Sequence, residues 1–129
     1  MQARVATALL TLRFTVFLVM LMWTVDKFVN PDHAAGIFTN FYFIQGLEAP
    51  VIYLIGGIEL LLIAAFVVGY QRQVSYGAVL LMHAVSTVSS YRQYLNPFDN
   101  LLFFAAWPML AACFALYWLR DLDVKWALR

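Results

Sequence analysis

The chain has 129 residues, of which 64% are hydrophobic and only 12% charged, with a formal net charge of +1. This composition argues against a soluble core and places the protein in a lipid bilayer. No basic tract or stacking platform accompanies the near-neutral charge, which sets nucleic acid aside as a partner.

Four apolar runs, over about residues 5–28, 49–70, 74–95 and 100–119, take up nearly all of the sequence. Each matches the ~20 residues that a helix needs to cross ~30 Å of hydrocarbon. Lipid cannot satisfy open strand edges, and no period-two alternation suggests a barrel. The predicted fold is therefore a single-domain, all-α integral membrane protein. Its four transmembrane helices form an antiparallel bundle, with a short outer interfacial helix between the first and second.

In the first run Arg4 precedes an apolar stretch, as in a signal peptide. Arg13 interrupts that stretch and no small-x-small cleavage pattern follows Met20 to Thr24, so an uncleaved span is expected. After it, Asn30 is placed to cap a helix whose first position is Pro31. Ile37, Phe38, Phe41, Tyr42 and Phe43 then cluster on one side at helical spacing. This predicts an amphipathic interfacial helix, either an aromatic anchor or a lid over a site opening on that side. Gly46 and Pro50 turn the chain back into the membrane.

The second and third runs are joined by Gln71-Arg72-Gln73, a connection so short that the two helices must be antiparallel neighbours. Asn96-Pro97-Phe98-Asp99 does the same for the third and fourth, with Pro ending one helix and Asn or Asp capping the next. In the fourth run Pro108 is expected to kink the helix, and Phe103, Phe104 and Trp107 line a pocket, face lipid or pack in the core. The lone Cys113 excludes an internal disulfide and a cysteine-based metal site and reads as a small packing residue. The tail, residues 120–129, mixes both charge signs around Trp126 and reads as an inner-surface extension of the fourth helix.

Orientation follows from the cations. Arg4, Arg13, Arg72, Arg120, Lys125 and Arg129 fall on one side, and Lys27 and Arg92 on the other. This bias predicts a multi-pass protein of a bacterial-type inner membrane with both termini in the cytoplasm. Asp26, Asp32, Glu48 and Asp99 then make the outer face mildly acidic.

Two polar constellations interrupt the apolar pattern. Glu59 and His83 lie near the middles of oppositely directed runs, so both fall near the bilayer centre. A buried carboxylate there costs roughly 3 kcal/mol or more unless partnered. His83 is the evident partner, and a protonated, hydrogen-bonded Glu59 answers the same cost. Ser86, Thr87 and Ser90 follow His83 at spacings of three, four and seven, on or near its face, with Tyr94 a turn beyond. They read either as part of a buried polar site or as hydroxyls that hold helices together. At the outer ends of the first and third helices, Asp26, Lys27, Tyr91, Arg92 and Gln93 form a second group. It serves ion pairing and snorkelling, or grips an anionic headgroup, a substrate oxyanion or a partner subunit. Gly56-Gly57 permits a close approach by another helix or a flat ligand. His33 in the outer connection and His83 in mid-membrane are poorly placed for bis-histidine haem ligation.

Leu12-Arg13, followed by Asp26-Lys27-Phe28-Val29-Asn30-Pro31, resembles the first helix of DoxX-type proteins. Gly57-Ile58-Glu59-Leu60 with Gly69 resembles the second helix of that family and of the related methylamine-utilisation membrane protein. The resemblance covers most of the chain, with Arg13, Lys27 and Glu59 as the matching positions; residues 83–92 do not map onto a catalytic motif of the family. It implies a small four-helix membrane protein of a redox system: an accessory or quinone-proximal subunit working with other membrane subunits. A quinone or lipid is then the ligand to expect, with no covalently bound cofactor, and whether the chain is itself an enzyme stays open. The rival readings are a non-catalytic assembly subunit and, with no internal repeat in its favour, a small transporter.

Overall fold

The computed structural model describes residues 2–42, 46 and 49–127; Phe43, Glu48 and Arg129 lie outside them. The chain forms α1 (Gln2–Val29), α2 (Pro31–Phe41), α3 (Ala49–Val67), α4 (Arg72–Ser89), α5 (Tyr91–Tyr94) and α6 (Ala106–Trp118). Short 3-10 turns cover Pro97–Asp99, Leu101–Ala105 and Arg120–Leu122. Among the described residues there is no strand. Three segments, Gln2–Val29, Pro50–Val67 and Leu101–Trp118, are long and apolar enough to cross a membrane. The helix α4 falls outside that group because Arg72, Gln73, Ser75, His83, Ser86 and Thr87 lower its hydropathy.

Helices α1, α3, α4 and α6 pack as a ring, each against the next, and α2 lies against α1 and α3. The inward stripe of α1 is Ala6, Leu9, Arg13, Val16, Met20 and Thr24, spaced by three and four residues. Such spacing keeps one face of a long helix turned to its neighbours. On α3, Ile52, Gly56, Ile63 and Phe66 are buried, and half-buried Glu59 falls in the same register. On α4 the stripe is Tyr76, Val79, His83 and Thr87. A waist of Val16, Met20, Ile63, Phe66, Val79, Cys113 and Leu116 joins the four helices. Polar groups lie on the stripes above and below it.

The turns follow local chemistry. At the end of α3, Gly69 has φ +71, its N–H donates to the Phe66 carbonyl, and the Tyr70 N–H donates to the Ala65 carbonyl. That pair of bonds is a Schellman closure, and the left-handed position in it favours glycine. Pro31 occupies the first turn of α2 as expected, but the Asn30 side chain makes no capping bond; the His33 N–H is taken by the Asn30 carbonyl instead. The third apolar run is not one helix. It breaks at Ser90, just after Thr87 Oγ1 donates to the His83 carbonyl and where Ser90 Oγ donates to that of Ser86. Hydroxyls bonded back to the preceding turn compete with the helix ladder and bend it. Pro108 falls in the first turn of α6, directly after the 3-10 stretch, so it accompanies a change of helix type rather than a kink in mid-helix.

The glycine pair divides its work. A Cβ on Gly56 would lie 2.9 Å from the Phe28 ring and 3.4 Å from Lys27 Cβ, whereas one on Gly57 would meet nothing within 4 Å. Gly56→Leu should therefore push α1 from α3 and cost about 1–3 kcal/mol. Gly57→Ala should be neutral or stabilising by up to about 1 kcal/mol. Thermal unfolding of the two variants in detergent measures the contrast, and equal effects would refute the assignment of Gly56 to the helix contact.

Candidate functional site

A cavity of about 1310 Å³ opens at the α2 end of the bundle. Its floor is the apolar waist, through Val16, Met20, Met109 and Ala112. Trp23 of α1, Phe38 and Phe41 of α2, Tyr42 just after it, and Phe103 from the 3-10 stretch are among the wall residues. Into this apolar space project Lys27, Glu59, His83, Ser86, Thr87 and Ser90. Mostly apolar walls with a few convergent polar groups are the usual make-up of a small-molecule site.

On the α1–α3 side, Lys27 Nζ lies 3.1 Å from Glu59 Oε2, with the two side chains 13% and 19% exposed. Thr24 Oγ1 lies 3.2 Å from the same oxygen and 2.8 Å from the Met20 carbonyl. Its single hydrogen serves one of them at a time. At the rim Asp26 Oδ2 and His33 Nδ1 are 2.6 Å apart, fastening the start of α2 to the end of α1. The far end of α2 is fastened to α4 by the Tyr42 hydroxyl and Ser86 Oγ, 2.5 Å apart.

On the α4 side His83 is buried, its Nε2 2.9 Å from the Ala106 carbonyl and its ring stacked on Trp23 at 5.9 Å between centroids. Among the described residues its Nδ1 has no partner. Glu59 and His83 thus line one cavity, but the bonds described for each go elsewhere: Glu59 to Lys27 and Thr24, His83 to the backbone of α6. Asp26 and Lys27 also reach the cavity. Tyr91 and Arg92 are outside its described lining, where Arg92 Nε donates to Tyr91 Oη at 3.3 Å. Phe104 and Trp107 pack on Tyr94, each at 5.3 Å.

The opposite, tail end holds a group that the sequence does not announce. Arg13 and Asp123 are both fully buried and 2.7 Å apart. The Tyr76 hydroxyl donates to the other carboxylate oxygen of Asp123, and Arg72 donates to the Asp123 carbonyl. Arg13 Nη2 donates to the carbonyls of Lys125 and Trp126, at 2.7 and 3.1 Å. The tail is folded into the end of the bundle here instead of extending α6. The only sequence signal for it was an arginine, Arg13, on an apolar stripe, with Asp121 and Asp123 in the tail as candidate partners.

The sequence model of one family, methylamine utilisation protein MauE, matches residues 5–100, which span α1 to α5 and both sides of the cavity. The chain belongs to that membrane family. Its members are accessory proteins of a multi-component system. Neither the curated proteins nor the solved structures contain a match.

Proposed function

We propose that this MauE-family chain is an accessory, quinone-proximal subunit of a membrane redox complex, and that the cavity at the α2 end receives the ligand. The observation that carries the reading is the one-sided cavity, apolar in its walls and polar at Lys27, Glu59 and His83. Trp23 offers a flat face to a ring, and the aromatic residues of α2 suit an apolar tail. In this reading a partner chain supplies the electron acceptor or donor. In this reading α4 is the fourth membrane span, its polar residues shielded in the ring between α3 and α6, and α2 lies in the interface as a lid. The Lys/Arg bias then puts the tail end on the cytoplasmic side of a bacterial-type inner membrane.

Purification in mild detergent should bring a cofactor-bearing chain with this one. A short-tailed benzoquinone should quench tryptophan fluorescence, and the quenching should fall sharply in Trp23→Phe. A lone chain with no saturable quenching would overturn the proposal. One observation favours the alternative of a non-catalytic assembly subunit: charged groups at both ends of the bundle already pair with each other, Lys27 with Glu59 and Arg13 with Asp123. That reading expects the co-purifying chain without the quenching.

A further inference from the structure

The hydrogen-bond polarity of His83 selects among ligands. A carbonyl oxygen has no hydrogen to give, so the 2.9 Å contact to Ala106 requires Nε2 to carry the hydrogen. In the neutral ring Nδ1 is then an acceptor, and which nitrogen bears the proton follows from the bond made by the other. This Nδ1 is buried without a partner among the described residues, on a side chain that lines the cavity and is 1% exposed. The backbone fixes the ring from one side and Trp23 covers its face at 5.9 Å. Rotating the ring to present a donor would break the Ala106 bond. A buried acceptor left unmatched is unfavourable, and a ligand that brings a second acceptor to it gains nothing.

We infer that the cavity takes an amphiphile that donates a hydroxyl hydrogen to His83 Nδ1, so that a hydroxyl-bearing head is bound in preference to the matching carbonyl form. The inference rests on the cavity being a ligand site, as proposed above. For a ring ligand it selects the hydroquinone over the quinone. For a lipid it selects an alcohol head over an ester or ketone of the same length. Thr87 Oγ1 and Ser90 Oγ do not alter this sign, because each already donates to a backbone carbonyl of its own helix.

The test uses the full chain in detergent or nanodiscs, with four probes: a decyl-substituted hydroquinone kept reduced, its quinone, a long-chain alcohol and the corresponding methyl ketone. Binding is followed by tryptophan fluorescence and by the shift in melting temperature. The hydroquinone should bind about tenfold or more tightly than the quinone, since a site built around one hydrogen bond discriminates against the analogue lacking it. His83→Phe should abolish the preference, and His83→Gln, which can donate to Ala106 and still offer an oxygen, should restore part of it. Nitrogen NMR of the wild-type histidines adds a readout that does not depend on a variant folding. It should show His83 protonated at Nε2 only, with its Nδ1 signal moving on addition of hydroquinone. Equal binding of hydroquinone and quinone, or an Nδ1 signal that the ligand leaves unchanged because water satisfies it, overturns the inference while the quinone reading survives. Preference for the long-chain alcohol over the ketone with no binding of either ring supports the inference and overturns the quinone reading. If none of the four binds, both fall.

Discussion

Arg13→Ala should destabilise the protein by about 3–5 kcal/mol, the usual cost of removing one partner from a buried ion pair. The expectation rests on geometry: both side chains are 0% exposed at a separation of 2.7 Å. The arginine also holds the tail through the carbonyls of Lys125 and Trp126. Without it, the Asp123 carboxylate keeps the Tyr76 hydroxyl but loses its counter-charge inside the bundle. Asp123→Ala should cost a similar amount, because the guanidinium is then the unpaired charge. The double substitution Arg13→Met with Asp123→Leu should recover much of the loss, since the desolvation of both charges disappears together with their attraction. Thermal or denaturant unfolding in detergent, combined as a double-mutant cycle, measures all three variants. Single variants within about 0.5 kcal/mol of wild type would show that no such buried pair exists.

The apolar stripes were open to reading from sequence because their spacing is a property of the helix itself. Run length marked α1, α3 and α6 for the same reason. The segment from Val74 to Leu95 misled, since run length cannot register hydroxyls that turn back on their own backbone. The bonds of Thr87 and Ser90 precede and accompany a break that divides it into α4 and α5. Glu59 and His83 stood out by depth, and both do line the cavity. Their partners were not open to the same reasoning. Depth along a span fixes height in the bundle, whereas partnership depends on rotation about the helix axis and on which helices adjoin. Glu59 is on the α3 face that meets α1, where Gly56 lets the Lys27 stem approach. His83 is on the α4 face that meets α6. Asp123 was least legible of all. It lies beyond the last apolar run, and only a tail folded back into the bundle brings it to Arg13.

Those rotations make a second energetic expectation sharp. Removing Lys27, as in Lys27→Leu, should destabilise the α1–α3 contact, because among the described residues Glu59 Oε2 then keeps only the shared hydroxyl of Thr24. The pair is 13% and 19% exposed and borders the cavity, so water reaches it and the loss should be smaller than at Arg13, about 1–3 kcal/mol. Combining Lys27→Leu with Glu59→Leu should return at least half of the summed single losses, the mark of two groups that bond each other. The cycle formed by Glu59→Leu with His83→Leu should differ. Glu59 is anchored on α1 and His83 on the α6 backbone, so their losses in ligand-free stability should add within about 0.5 kcal/mol. Adding a cavity ligand should then change that second cycle, since an occupant touching both walls couples residues that are independent without it. A strong Glu59–His83 coupling in the ligand-free protein would mean that the two side chains bond directly, and would displace Lys27 as the partner of Glu59.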